Sequence, residues 1–266
     1  MLSPAALALL LALLRLVLVA TATQCGRGQK LVFVLAGQSN MAGRGGAIGG
    51  RWDGEVPPQC RASPSILRLS AGLQWEVARE PLHADIDVNK TCGVGPGMPF
   101  AHALLLWARA RARRPPAIGL VPCAVGGTKI EEWGRGTALY EGMVRRARAA
   151  GGKLAAVIWY QGESDTVLRE DAEAYGGRME RLIRDLRADL GSPELLLIQV
   201  ALASGEGKFT KLVRQAQKTI KLPNVAFVDA KGLPLEADHL HLTTQAQVHL
   251  GRMLADSYLH HQESNM

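Results

Sequence analysis

The sequence KLVFVLA at residues 30–36, followed directly by GQSNM at residues 37–41, carries the strongest fold signal in the chain. An unbroken apolar run rich in β-branched and large residues is typical of a strand that is covered on both faces. Four more runs of this kind follow: Ala117–Pro122, Leu154–Tyr160, Glu194–Ala201 and Val225–Asp229. These five runs predict the strands of a mostly parallel sheet.

Longer segments with helical periodicity lie between and after these runs. Their apolar residues recur every three or four positions, so each helix would pack one face on the sheet. Three such stripes span Tyr175–Leu190, Phe209–Ala216 and Ala246–Tyr258. Gly191-Ser192-Pro193 marks the end of the first helix, and Thr243-Thr244 supplies N-caps for the last. The alternation predicts one α/β/α sandwich that spans residues 23–266.

Residues 37–98 depart from this alternation, because they contain many Gly and Pro residues and only one strand-like run, Ser65–Leu69. A long irregular stretch inside an α/β domain usually forms functional surface or covers an active site. We therefore expect this segment to lie over the site of function.

The composition is that of a globular protein. With 47% hydrophobic and 21% charged residues among 266, the chain is not a disordered, collagen-like or coiled-coil protein. The formal net charge is +7, and the excess falls mainly in Arg109–Arg114 and Arg145–Arg148, which we expect to be solvated helix faces. No platform of aromatic and basic residues accompanies these runs, so we expect no nucleic-acid partner.

The N-terminal segment predicts a secretory signal peptide over residues 1–22. Residues 5–20 are apolar except for Arg15, and Ala20-Thr21-Ala22 is a small-x-small cleavage pattern. The run is short of the roughly 20 residues that a membrane span needs, so we expect a protein that is secreted, extracellular or in a cell wall, with no stable membrane association. A signal-anchor is the alternative, because Arg15 interrupts the run and no basic residue precedes it.

Four cysteines follow the predicted cleavage site: Cys25, Cys60, Cys92 and Cys123. In an oxidising compartment they would form two disulfides in one of three connectivities, and the alternative is that they are buried free thiols. Their spacing contains no Cys-x-x-Cys pair, so no metal site is expected. Asn89-Lys90-Thr91 is an N-glycosylation sequon, which has meaning only in a secreted chain.

Polar clusters follow four of the predicted strands. In an open parallel sheet, ligands bind beyond the carboxyl ends of the strands, so these clusters should meet at one edge. The four clusters are Gly37–Met41, Gly126–Thr128, Gln161–Asp165 and Asp238–His241. Each alone also fits a simple turn or a capping segment, but their common placement favours a hydrolase site.

The residue types in these clusters suit acyl transfer. A serine such as Ser39 is a weak nucleophile that needs a histidine base held by a third group. Asp238 and His241 are three residues apart and can share one side of a turn, whereas His239, next to Asp238, would point elsewhere. We therefore predict Ser39 as nucleophile, His241 as base and Asp238 as its orienting partner.

The tetrahedral oxyanion of such a reaction needs hydrogen-bond donors. The candidates are the backbone N–H of Ser39, the backbone N–H of Gly127, with Gly126 as the alternative, and the side-chain amide of Gln161.

These blocks resemble those of the SGNH hydrolase superfamily, in the branch of family 6 carbohydrate esterases and sialate O-acetylesterase (SASA) domains, with plant probable carbohydrate esterases as the nearest group. The resemblance covers residues 30–260 and includes Ser65–Ser70, Glu80–His83, Cys92–Gly97 and Asp229–Pro234. It implies a flavodoxin-like three-layer fold with five parallel strands, no metal or organic cofactor, and hydrolysis of acetyl esters on sugars, with acetylated xylan as the expected substrate.

Carried over by position, the resemblance implies the same triad of Ser39, His241 and Asp238, with Gly127 and Gln161 as oxyanion donors. Gln161 stands where the wider superfamily usually has asparagine, although glutamine fits this branch. Glu163 is expected to support the Ser39 loop by hydrogen bonding.

Two other functions fit the same fold: a carbohydrate-binding protein without catalysis, and a lipase or thioesterase. The intact triad residues oppose the first, and polar residues near Ser39 and Gly127, such as Arg44 and Lys129, oppose an apolar acyl channel. Trp52, Trp75 and Trp133 would either stack on sugar rings or fill the core.

Overall fold

A seven-stranded sheet forms the centre of the structure, a computed structural model that describes residues 30–111 and 115–264. The strands in chain order are β1 (Leu31–Gly37), β2 (Ala47–Ile48), β3 (Arg51–Trp52), β4 (Ile66–Leu69), β5 (Trp75–Val77), β6 (Ile118–Pro122), β7 (Lys153–Tyr160), β8 (Leu196–Ala201) and β9 (Val225–Asp229). The spatial order in the sheet is β5-β4-β6-β1-β7-β8-β9, and β2 and β3 form a separate antiparallel ribbon.

The mostly parallel sheet is confirmed, but the expected count of five strands is wrong. The five predicted runs became β1, β6, β7, β8 and β9, which pair in parallel. The strand-like run at Ser65–Leu69 adds β4 as a sixth parallel strand beside β6. It is followed by a tight connection to β5, which pairs antiparallel with β4 at the sheet edge.

Helices cover both faces of the sheet. They are α1 (Ser39–Ala42), α2 (Gly97–Ala110), α3 (Ala138–Ala150), α4 (Arg169–Asp189), α5 (Thr210–Lys218) and α6 (Thr244–Ser264), with single 3₁₀ turns at Pro58–Cys60, Ile130–Trp133 and Ser164–Thr166. On one face, Phe33 of β1 meets Phe100 of α2 and Tyr258 of α6 edge to face, with centroids 4.8 and 5.0 Å apart. Trp159 of β7 packs edge to face on Trp133, at 5.2 Å.

The predicted helix boundaries follow from local chemistry. α4 buries its apolar stripe against the core and stops before Gly191, which adopts a left-handed φ of +59°. α6 begins at Thr244, and the hydroxyl of Thr243 accepts the Ala246 N–H at 3.2 Å. Both signals are therefore confirmed.

One of the expected solvated arginines is buried. Arg146 is 6% exposed and donates to the carbonyls of Leu69 at 2.7 Å, Ser70 at 3.0 Å and Pro122 at 2.9 Å. It thus satisfies carbonyls at the ends of β4 and β6, while its neighbours Arg145 and Arg148 are exposed as expected.

The two-disulfide alternative is wrong for the cysteines that the structure describes. Cys60, Cys92 and Cys123 are free and buried, as the second alternative expected. Burial raises the pKa of the Cys92 and Cys123 thiols to about 11. Cys25 and the predicted signal peptide lie outside the described residues. Within the described residues, no helix has the length and apolar character needed to cross a membrane.

Candidate active site

The four predicted clusters meet at the carboxyl edge of the sheet, after β1, β6, β7 and β9. Gly37 makes the first of these turns, with a φ of +130°. A Cβ at Gly37 would lie 2.1 Å from the carbonyl oxygen of Tyr160, so only glycine lets the end of β1 pass this close to β7. The chain then turns directly into α1, whose first residue is Ser39.

Ser39, His241 and Asp238 form a continuous hydrogen-bonded relay. The Nε2 atom of His241 lies 2.9 Å from the Ser39 hydroxyl, and its Nδ1 lies 2.6 Å from Oδ2 of Asp238. Because the carboxylate accepts the Nδ1 proton, Nε2 is left as the acceptor for the Ser39 hydroxyl. Ser39 is 5% exposed, so only a small part of the serine is open to solvent. His239 takes no part in the relay and is exposed.

Backbone donors fix the Asp238 carboxylate. Its Oδ1 accepts the N–H groups of Leu240 and His241, both at 2.9 Å. Partial burial raises the pKa of Asp238, but these two N–H bonds and the bond from His241 outweigh it and hold the pKa below its usual value. Asp238 is therefore an ionised partner for the imidazole near neutral pH.

Two backbone N–H groups remain open near the serine. Among the described residues, neither the Ser39 N–H nor the Gly127 N–H has a hydrogen-bond acceptor. Gly127 is exposed and has a φ of +75°. The N–H of Gly126 is already donated to Oδ2 of Asp87 at 3.1 Å, which favours Gly127 over Gly126 as the donor.

The structure does not present Gln161 as the donor that the sequence predicted. Its side chain is fully buried, and Nε2 donates to the carbonyl of Thr128 at 2.8 Å and to Oδ2 of Asp165 at 2.6 Å, with Oε1 of Gln38 as a longer third contact at 3.3 Å. An amide nitrogen has two hydrogens, and both are used by these bonds. Asp165 also accepts the Ile130 N–H at 3.1 Å, so the Gln161–Asp165 pair holds the chain that follows Gly127.

Asn40 is a residue of the site to which the sequence assigned no role, although it lies inside the Gly37–Met41 block. Its Nδ2 donates to Oε1 of Glu163 at 2.7 Å and to the Leu240 carbonyl at 3.3 Å. Its Oδ1 accepts the Leu242 N–H at 2.9 Å. Asn40 therefore joins the serine helix to both chain neighbours of His241.

Glu163 accepts the hydrogen bond from Asn40, the residue next to Ser39. It is fully buried, and burial raises its pKa to about 7; the negative charges of Glu206 and Asp165 act in the same direction, against the Asn40 hydrogen bond. Ser204, after β8, adds a further hydrogen bond to the Leu240 carbonyl at 2.5 Å. Nothing in the local sequence distinguishes Ser204 from an ordinary loop serine.

The tryptophans differ in their placement. Trp133 is fully buried and donates to the Thr128 hydroxyl at 3.0 Å, so it fills the core and cannot stack on a sugar. Trp75 is half-buried, and its Nε1 donates to the Ala150 carbonyl at 3.0 Å. In the described part of the chain, no group of three or more His, Cys, Asp or Glu side chains is arranged to hold a metal ion.

Comparison with known proteins gives one family. Residues 29–260 match the SASA family model, described as carbohydrate esterase, sialic acid-specific acetylesterase. A probable carbohydrate esterase of Arabidopsis thaliana is 57% identical over 238 residues, which are 86% of this chain and 90% of the relative. The X-ray structure of that Arabidopsis protein has a TM-score of 0.81 and 55% identity, covering 88% of this chain and 99% of its own.

Two more distant structures share the fold. NanS has a TM-score of 0.71 at 18% identity, over 89% of this chain and 98% of its own. A carbohydrate acetylesterase from Xanthomonas citri has a TM-score of 0.60 at 23% identity, over 88% of this chain and 56% of its own.

Proposed function

The chain belongs to the SASA family of carbohydrate esterases, and we propose that it removes O-acetyl groups from a carbohydrate through a Ser39-His241-Asp238 triad. It is a carboxylic ester hydrolase of the acetylesterase kind. The observation that carries the triad is the relay itself, with Ser39 Oγ 2.9 Å from His241 Nε2 and His241 Nδ1 2.6 Å from Asp238 Oδ2.

Acylation begins at the Ser39 oxygen. Oγ attacks the acetyl carbonyl carbon while its proton passes to Nε2 of His241, giving a tetrahedral intermediate. The Asp238 carboxylate stabilises the imidazolium that forms. Collapse of the intermediate breaks the bond to the sugar oxygen, which takes the proton from Nε2 and leaves as the alcohol. The acetyl group remains on Ser39.

Deacylation repeats these steps with water as the nucleophile. His241 takes a proton from the water while the water oxygen attacks the acetyl carbon. The second tetrahedral intermediate then expels the Ser39 oxygen. The proton on Nε2 returns to that oxygen, and the product leaves as acetic acid, which ionises to acetate in water. General-base catalysis of this kind contributes about 10²- to 10⁴-fold to the rate.

The oxyanion in both steps is bound by the backbone N–H groups of Ser39 and Gly127. This assignment is supported by the absence of any acceptor for either group among the described residues. Removal of one such donor costs about 10²- to 10³-fold in kcat in serine hydrolases. Gln161 contributes by holding Thr128 rather than by touching the oxyanion.

The substrate class that we propose is acetylated xylan, with O-acetylated sialic acid as the competing class because the family description names it. The test is acetate release by the purified protein from acetylated xylan, from O-acetylated sialic acid and from 4-nitrophenyl acetate. A polymer rate that exceeds the sialic acid rate supports xylan, and the reverse order overturns that part of the proposal.

Replacement of the nucleophile tests the mechanism. Ser39→Ala should abolish turnover of every acetyl ester without unfolding the protein, because within the described residues the hydroxyl bonds only to His241. Ser192→Ala is the matched control, since this serine lies before β8 at the opposite end of the sheet and bonds the Leu190 carbonyl. Retained acetate release in Ser39→Ala would overturn the assignment of Ser39.

Two other outcomes would replace the proposal. Glycan binding without hydrolysis of any ester would favour the carbohydrate-binding protein on the same fold. Preference for long-chain acyl esters over acetyl esters would favour a lipase or thioesterase.

We also propose that the chain is secreted after cleavage behind Ala22, which its N-terminal sequence supports. Asn89 is exposed, so its sequon is accessible to glycosylation in such a chain. N-terminal sequencing of the native protein should start at Thr23. Recovery of residues 1–22 in a membrane fraction would instead establish the signal-anchor.

A further inference from the structure

A buried ion pair lies directly behind the glycine turn that follows β6. Arg44 is 6% exposed and Asp87 is 2% exposed, and Nη2 of Arg44 lies 2.5 Å from Oδ2 of Asp87. The same Oδ2 accepts the backbone N–H of Gly126 at 3.1 Å. A carboxylate removed from water is stable only when its charge is neutralised and its oxygens accept hydrogen bonds, and this oxygen has both.

A single residue, Gly126, lies between the ion pair and the proposed nucleophile Ser39. A Cβ built on Gly126 would lie 2.5 Å from Nη2 of Arg44 and 3.4 Å from Cβ of Ser39. Gly126 is thus enclosed between the ion pair and the Ser39 side chain, with no room for a larger residue. Arg44 also reaches the serine segment, because its Nη1 donates to the Gly43 carbonyl at 3.0 Å.

The N–H of Gly127 lies in the peptide that joins Gly126 to Gly127, within a short segment that is anchored at both ends. On one side, the Gly126 N–H is held by Asp87. On the other side, the Thr128 carbonyl is held by Gln161. Two consecutive glycines without such anchors would leave this peptide free to rotate, since glycine populates positive and negative φ about equally. Oxyanion donors are effective because they are aimed before the charge develops.

We propose that Arg44 and Asp87 are positioning residues that aim the Gly127 N–H at the oxyanion. This inference rests on the proposed serine esterase function. Asp87 fixes the glycine turn through a charge-assisted hydrogen bond, which is stronger than a neutral one. Arg44 neutralises Asp87 and joins it to the end of α1, so the nucleophile and its oxyanion donor move as one unit.

The test is Asp87→Ala, with 4-nitrophenyl acetate as substrate and a small alkyl boronic acid as a tetrahedral, anionic mimic of the intermediate. Misplacement of one donor should lower kcat by about 10- to 100-fold, below the loss for a donor that is removed. The KM should stay within about threefold, because the donor acts mainly on the transition state. The inhibition constant of the boronic acid should rise in step with the loss in kcat.

Asp85→Ala is the matched control. Asp85 lies two residues away on the same segment and forms a bidentate pair with Arg68 at 2.8 and 2.6 Å, away from the glycine turn. The Asp85→Ala variant also removes a carboxylate–guanidinium ion pair. Its kcat and its inhibition constant for the boronic acid should therefore stay within about twofold of the wild-type values. Asp87→Asn keeps an oxygen acceptor for Gly126 and should retain more kcat than Asp87→Ala; it also serves if Asp87→Ala does not fold.

Amide hydrogen exchange of residues 124–130 gives a readout independent of turnover. Exchange should accelerate in Asp87→Ala and stay unchanged in Asp85→Ala. Suppose that the wild type is active and Ser39→Ala is inactive. Unchanged kcat or unchanged exchange in Asp87→Ala would then overturn this inference but not the proposed function. Wild-type rates in Ser39→Ala would overturn the proposed function and this inference with it.

Discussion

The buried carboxyl of Glu163 should make the protein less stable as the pH rises. The residue is fully buried, and its Oε2 has no hydrogen-bond partner in the described structure. Burial, with the nearby charges of Glu206 and Asp165, raises its pKa from 4.5 to about 7. In the unfolded chain the carboxyl loses its proton near the ordinary value of 4.5.

The sign and size of the effect follow from proton linkage. Between these two pH values the folded state holds a proton that the unfolded state has lost, so stability falls with pH until Glu163 is ionised in both states above about 7. Each unit of pKa difference is worth about 1.4 kcal/mol, so the loss is on the order of 3 kcal/mol. Glu163→Gln keeps the side-chain shape and an oxygen for Asn40, and it cannot ionise.

The assay is urea denaturation of the wild type and Glu163→Gln at pH 4.5, 6, 7 and 8. The free energy of unfolding of the variant minus that of the wild type should increase by about 3 kcal/mol over this range. Any fixed cost of the new amide shifts all values equally and leaves the slope unchanged. Glu170→Gln at an exposed position is the control, with an expected effect below about 0.5 kcal/mol. A difference that stays constant within about 1 kcal/mol would refute the reasoning.

Two further predictions concern the relay and the glycine turn. Asp238→Asn should lower kcat by about 10²- to 10⁴-fold in steady-state assays, because the amide no longer holds His241 in the required tautomer; a loss below threefold would contradict the role of Asp238. Gly126→Ala should destabilise the protein by about 1–3 kcal/mol in thermal melts, because its Cβ would lie 2.5 Å from Arg44. Gly142→Ala, in α3 with open space around it, should stabilise by about 0.5–1 kcal/mol, and equal melting of the two variants would contradict the packing argument.

The central strands could be predicted from the sequence because each is buried on both faces and therefore reads as an unbroken apolar run. β5 could not, because Trp75–Val77 is three residues long and only partly buried at the sheet edge. Its position depends on pairing with β4, including the Arg68 to Glu76 ion pair across the two strands at 2.6 Å. Such an edge strand is defined by its partner and not by its own pattern.

The burial of Arg146 could not be predicted from the sequence either. A run of arginines is normally a solvated helix face, and Arg145 and Arg148 conform to this expectation. Arg146 is buried because it points at carbonyls from residues 24, 76 and 77 positions away in the chain. Sequence spacing gives no sign of acceptors that only the folded sheet brings together.

Gln161 extends this argument to the site. The motif correctly predicted that the Gln161 amide lies at the edge of the sheet where Ser39 lies. The role of an amide, however, depends on which acceptors take its two hydrogens. The two nearest acceptors are Asp165, four residues away, and the Thr128 carbonyl, 33 residues away, and the second is beyond any local pattern. Because Gln161 donates to the loop, the proposed oxyanion site depends on backbone donors. In this proposal the buried polar side chains around the site act by holding that backbone. Substitutions at such positions should therefore reduce kcat far more than they change KM.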